Sequence, residues 1–259
     1  MTDSEVSYNN NPSKKAKGRI LYDIAAIEKN KKILNNIEGL YFSFNIDKVF
    51  DTKYYMLIIG PDDTPYEGGF YFFEARYPDE YPFYPMTMKS LTQGGDIRKH
   101  PNLYACGKCC FSFLGTWQGP PWTAVQNPQT VGISMRSVLS KNPINNEPGY
   151  ENRNDSLTEL YEKLIEYFNI RYGVIEIMDK LNIKNEQEFY GRFKKDIEII
   201  FTKYYTKYLK TIEKFKDLDG KLIESPVYGF TVLIEYKFLK KRILDIKTNL
   251  DKNTNDYEI

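Results

Sequence analysis

The chain has 259 residues, 41% hydrophobic and 27% charged, a composition that places it among globular chains of one or two domains. Its formal net charge of +1 argues against a nucleic-acid partner held by phosphate neutralisation, and no apolar run approaches the ~20 residues that span a bilayer. With no signal-peptide core at its start, the chain is expected in the cytosol or nucleus, where cysteines crowded between Cys106 and Cys110 suit catalysis or metal binding rather than a disulfide framework.

Residues 1–13 are polar, with Asn9–Asn10–Asn11–Pro12, and read as a disordered tail. Ile20, Ile24 and Ile27 fall at helical spacing and predict a helix that turns Asp23, Glu28 and its lysines to water. Strands rich in Tyr, Phe, Ile and Val are predicted at Leu40–Asp47, Lys53–Ile59 and Gly69–Arg76, with a shorter one at Met86–Leu91. A turn from Gly60 to Pro65 separates the second from the third. No helical pattern intervenes, so the strands form an antiparallel meander and the fold is α/β in the α+β sense.

From Thr92 to Pro128 no periodicity survives, and irregular segments that long inside a domain are usually functional. Asn127 as N-cap and Pro128 in the first turn open a helix with Val131, Met135, Val138 and Leu139 on one face. Gly132 inside it implies close packing. Beyond Asn154 the pattern becomes helical. Ser156 and Glu159 suggest a capping box, Phe189 to Phe215 carry an aromatic and aliphatic stripe typical of core, and Ser225–Pro226 opens a further stripe through Val232, Tyr236, Leu239, Ile243 and Ile246. The chain thus divides into a tail (1–13), a catalytic core (14–154), a helical extension (155–250) and a polar tail (251–259).

The chemistry sits in His100–Pro101–Asn102, Gly107, Cys109, Cys110 and the stretch from Trp117 to Trp122. A thiol hydrolase needs a histidine base, and His100 is the single histidine, ten residues from Cys110 in a rigid His-Pro step. A zinc site would draw on His100, Cys106, Cys109 and Cys110, yet structural zinc usually takes a second, separated pair, and adjacent cysteines rarely share one ion. The third possibility is a thiolate that carries an acyl group without a histidine base, its carbonyl oxygen steadied by an asparagine amide when an amine attacks.

The spacing His100–Pro101–Asn102…Gly107…Cys110 resembles the signature of ubiquitin-conjugating enzymes. Gly60–Pro61…Thr64–Pro65–Tyr66–Glu67–Gly68–Gly69, Tyr81–Pro82…Pro85, Trp122 and Asn142–Pro143 resemble further family motifs in the family's order, covering about 17 to 152. Gly107–Lys108…Ser112, Leu114–Gly115–Thr116–Trp117, Gly119–Pro120 and Asn145–Asn146–Glu147–Pro148–Gly149 are similar to the larger members, which have an enlarged active-site loop and a helical C-terminal extension.

The resemblance implies the following roles. Cys110 accepts ubiquitin, or a ubiquitin-like modifier, as a thioester from an activating enzyme and passes it to a substrate lysine, with or without a ligase. A nucleophile of this kind is expected to be partly exposed. Asn102 stabilises the oxyanion or orders the loop, His100 and Pro101 are structural, and Tyr104 lines the site or packs the loop. Where many relatives place an aspartate to help deprotonate the lysine, this chain has Asn145, Asn146 and Glu147. Phe83, Trp122, Ala124 and Val125 lie where ligases dock, and the first helix where the activating enzyme docks. Cys109 reads as a small buried hydrophobe, and Cys106 has no catalytic part. No cofactor or metal is implied, because ATP is consumed by the activating enzyme. The rivals are a catalytically inactive relative that only binds ubiquitin, and the thiol hydrolase.

Overall fold

The structure is a computed structural model that describes residues 11–44, 52–181, 183 and 189–255. Helix α1 (Lys14–Asn36) opens on Ser13, whose hydroxyl accepts the Ala16 N–H in place of a missing intrahelical partner. Four strands follow, β1 (Leu40–Phe44), β2 (Lys53–Ile59), β3 (Phe70–Arg76) and β4 (Thr87–Ser90). They pair antiparallel in the order β1-β2-β3-β4, the meander expected from the absence of crossover helices. The end of the first predicted strand, 45–47, and the 1–10 part of the predicted tail lie outside the described residues.

After a long irregular stretch comes α2 (Pro128–Val138), capped by Asn127 in reciprocal bonds with Thr130. The remaining elements are α3 (Ser156–Phe168), a π-helical stretch at Asn169–Ile175 running into α4 (Glu176–Lys180), α5 (Lys194–Lys214), a hairpin of β5 (Leu222–Glu224) and β6 (Thr231–Leu233), and α6 (Tyr236–Asn255). No described helix is long and apolar enough to cross a membrane.

An antiparallel sheet commonly leaves one face to water; here both faces are covered. On one face α2 lies so close that a Cβ on Gly132 would sit 3.0 Å from Met56 Sδ and 3.2 Å from Leu40 Cδ1. On the other, Phe189 stacks on Tyr55 at 5.2 Å between ring centroids, while Tyr190 and Phe193 meet Phe72 edge-on. This is why Phe70, Tyr71, Phe72 and Phe73 are all buried, without alternation. One continuous cluster of buried side chains runs from Ala16 to Ile246, so segment 155–250 shares its core with segment 14–154.

The turn after β2 is fixed from outside. Tyr71 Oη donates to Asn169 Oδ1 at 2.7 Å, and Asn169 Nδ2 donates to the Glu67 carbonyl at 2.9 Å. A Cβ on Gly69 would fall 1.8 Å from Asn169 Oδ1, so that glycine is dictated by this close approach. Tyr204 and Tyr208 of α5 donate to Asp62 Oδ1 (2.6 Å) and the Gly68 carbonyl (2.8 Å).

Three expectations are corrected. Asp23 does not face water; it is buried, paired with Arg19 at 2.9 Å and accepting the Tyr81 hydroxyl. The capping box of α3 lies one residue earlier than Ser156 and Glu159: Asp155 accepts the Thr158 N–H and Thr158 Oγ1 accepts the Asp155 N–H. Ser225–Pro226 does not start a helix. The Ser225 N–H donates to the Phe230 carbonyl across a turn in which Tyr228 and Gly229 have φ of 65° and 63°, and Val232 and Ile234 point inward at strand spacing.

Candidate active site

The signature spacing has a local cause. Residues 100–110 fold back on themselves, with His100 bridging Leu103 and Leu103 bridging Cys109. Gly107 closes the turn at φ +91°, where a Cβ would lie 2.7 Å from the Ser90 carbonyl oxygen. The fold-back brings Asn102 and Cys110 together through two bonds. The Cys110 N–H donates to the Asn102 carbonyl at 2.8 Å, and Asn102 Nδ2 donates to the Cys110 carbonyl at 2.7 Å.

His100 is wholly buried and committed elsewhere. Its Nδ1 accepts the Asn102 N–H at 3.0 Å, which leaves Nε2 as the protonated nitrogen, donating to the Val138 carbonyl at 2.9 Å. Burial holds it neutral by lowering its pKa to about 3, against the Val138 bond and with help from Lys99 and Arg98. Neither ring nitrogen faces the sulfur, so His100 does not form a Cys–His dyad. Pro101 is buried as well.

The sulfur is less accessible than the sequence suggests. Cys110 is 3% exposed, and its Sγ donates to the Thr116 carbonyl at 2.9 Å. Thr116 is fastened over it because its Oγ1 accepts the Phe111 N–H and donates to the Cys109 carbonyl. Cys109 is buried, and burial pushes its thiol up to about 12; Cys106 is exposed. Among the described residues no group of three or more His, Cys, Asp or Glu side chains could hold a metal ion, and the four candidate zinc donors of the sequence do not converge.

Asn145, Asn146 and Glu147 are each engaged. With its amide nitrogen turned to its acceptors, Asn145 donates to the Tyr150 and Arg153 carbonyls, and Asn146 Nδ2 donates to the Pro143 carbonyl at 3.1 Å. Glu147 accepts the Tyr228 hydroxyl at 2.6 Å and lies 3.6 Å from Arg98. The Arg98 guanidinium rests 3.8 Å from the Tyr104 ring centre and donates to the Pro101 carbonyl. Arg98 therefore links Tyr104, Pro101 and Glu147, three residues the sequence names separately. Sequence reasoning missed Arg98 and Tyr228, which stand at no motif position, and gave Thr116 no role beyond its place in the Leu114–Trp117 motif.

The surface residues converge as well. Trp122 Nε1 donates to the Pro82 carbonyl at 2.7 Å, which sets the loop of Ala124 and Val125 beside the segment of Phe83. Phe83 is 70% and Val125 82% exposed, and Ala124 is exposed too. Arg19 of α1 donates to the Ala124 and Gln126 carbonyls, which ties the first helix to this loop.

A family profile described as ubiquitin-conjugating enzyme matches residues 27–169. Ubiquitin-conjugating enzyme E2 Z of Homo sapiens is 37% identical over 199 residues, 76% of this chain and 55% of that protein. Its Xenopus tropicalis namesake is 35% identical over 197 residues, 75% of this chain and 61% of that protein. A third relative, the dual E2 ubiquitin-conjugating enzyme/E3 ubiquitin-protein ligase BIRC6 of Homo sapiens, is 35% identical over 158 residues, 57% of this chain and 3% of that protein. The chain thus spans little more than half the length of the E2 Z proteins it matches. With the profile covering more than half of the chain, and with the fold-back that joins Asn102 to Cys110, the chain belongs to the ubiquitin-conjugating enzyme family.

Proposed function

We propose that the protein conjugates ubiquitin, or a ubiquitin-like modifier, through a thioester on Cys110. The observation that carries this is the pairing of Cys110 with Asn102 in a fold-back where the one histidine is turned away. The Cys110 thiolate attacks the modifier's carbonyl on the activating enzyme, forming a C–S bond as that enzyme's thiolate leaves. A substrate lysine amine then attacks the Cys110 thioester, a C–N bond replaces the C–S bond, and the amine proton passes to solvent or a nearby base. A thiolate cannot donate, so the contact to the Thr116 carbonyl ends on deprotonation, and that carbonyl must move aside for the acyl group to enter.

The oxyanion of lysine attack is assigned to Asn102, which has two N–H donors and uses one on the Cys110 carbonyl. Phe83, Trp122, Ala124 and Val125 form the docking surface for a ligase, and α1 that for the activating enzyme. No cofactor enters, since ATP is spent on the activating enzyme. The work is assigned to the cytosol or nucleus, which suits three unpaired thiols. A hydrolase is disfavoured by the hydrogen bonds that occupy both His100 nitrogens.

The test is a charging assay with activating enzyme, ATP and ubiquitin on a non-reducing gel. The wild-type chain is expected to give a thiol-sensitive adduct and Cys110→Ser a thiol-resistant oxyester. A wild-type chain that stays unmodified with ubiquitin and with ubiquitin-like modifiers sinks the proposal.

A further inference from the structure

Tyr228 lies in the turn between β5 and β6, more than a hundred residues from Cys110 in sequence, yet it closes on the same cluster. Its ring centre is 4.1 Å from the Arg98 guanidinium, so Arg98 is held against two aromatic rings, those of Tyr104 and Tyr228. Its hydroxyl donates to Glu147 Oε2 at 2.6 Å, short as expected for a charge-assisted bond. Tyr161 of α3 supports the arrangement from behind, donating to the Arg98 carbonyl at 2.9 Å and meeting Tyr228 edge-on at 6.0 Å. Arg98 in turn donates to the Pro101 carbonyl, one residue before Asn102.

Two details set this cluster apart from ordinary packing. Tyr228 adopts φ 65°, a left-handed conformation that a bulky side chain takes up only when its surroundings impose it. Arg98 Nε is buried without a hydrogen bond, so the guanidinium is placed by its ring contacts, its bond to the Pro101 carbonyl and Glu147, at some loss of solvation.

We propose that Tyr228 is a positioning residue for lysine attack: from the turn of the C-terminal hairpin it fixes Arg98 and Glu147, and through them the segment carrying Asn102 and the turn carrying Glu147. This rests on the conjugating function proposed above. Tyr228 touches neither modifier nor lysine; it acts through the two residues it holds. The C-terminal segment thereby takes part in the transfer step rather than only covering the sheet.

Two steps separate this inference from the function beneath it. Thioester formation reports the conjugating activity, whereas decay of preformed thioester in free lysine is first-order, so its rate constant is indifferent to how much protein is folded. Tyr228→Phe removes one hydroxyl and keeps the ring on Arg98. It should still charge, while its discharge rate constant at saturating lysine falls about tenfold and the half-saturating lysine concentration stays put. Glu147→Gln should show a similar fall, and the double variant should be no slower than the slower single one, because both break one link. Arg98→Lys, which keeps the charge but loses the stacked plane, should reproduce the effect if Tyr228→Phe does not fold. A Tyr228→Phe discharge constant within twofold of wild type, or effects that multiply in the double variant, would overturn the inference and leave the conjugating function intact. Failure of the wild type to charge would remove both.

Discussion

Asn102→Ala is expected to slow lysine discharge from the Cys110 thioester by about a hundredfold, the usual loss when one oxyanion donor is removed. The same change also removes the donor to the Cys110 carbonyl, a 2.7 Å bond that fastens the nucleophile's own backbone. That second loss should cost about 1–2 kcal/mol of stability, since it leaves a partly buried carbonyl without its partner. Asn102→Asp should be worse than Asn102→Ala, because a carboxylate would then face the Cys110 carbonyl. The measurement is single-turnover discharge into free lysine, with thermal unfolding alongside. Discharge within threefold of wild type would remove Asn102 from the transfer step and leave it a purely structural bond.

The second large effect concerns acid. His100 is buried and neutral with a native pKa of about 3, below the roughly 6.5 of an unfolded chain. Between those values the unfolded state binds a proton that the native state refuses, so stability rises with pH across the window. The contribution is complete above about pH 6.5, is lost as the pH falls, and amounts to on the order of 4 kcal/mol by pH 3. Protonation would also place an N–H on Nδ1 against the Asn102 N–H it now accepts, so the acid-induced loss begins at the site itself. Urea midpoints at pH 7.5 and 4.5 check this. His100→Gln should start from a lower stability but lose about 2–3 kcal/mol less than wild type between the two pH values. Equal losses in the two proteins would show that other groups set the acid sensitivity.

What the sequence discloses about this site is what short-range geometry enforces. His100, Asn102, Gly107 and Cys110 are spaced by one tight fold-back, and Gly107 has to be glycine because of its φ and the nearby Ser90 carbonyl. The strands were legible because β-branched and aromatic runs end at strong turn residues. Asp23 is misplaced because its charge argues for water although its spacing, three residues after Ile20, sets it on the apolar face, and its partner Tyr81 lies 58 residues away. Tyr228 was invisible for a related reason. Ser225–Pro226 before it reads as a helix start, and nothing local indicates that Arg98 and Glu147 wait opposite. The cover that Thr116 places over Cys110 likewise depends on how an aperiodic loop closes, which composition does not specify.

Three thiols lie within five residues, so the most direct test of the central claim asks which of them carries the modifier. Single-cysteine variants that keep only Cys106, only Cys109 or only Cys110 can be charged with activating enzyme, ATP and ubiquitin, then weighed intact before and after thiol treatment. The expected result is one ubiquitin mass, removed by thiol, on the chain that keeps Cys110, and none on the other two. A thiol-removable adduct on the Cys106 or Cys109 chain, with none on the Cys110 chain, would contradict it.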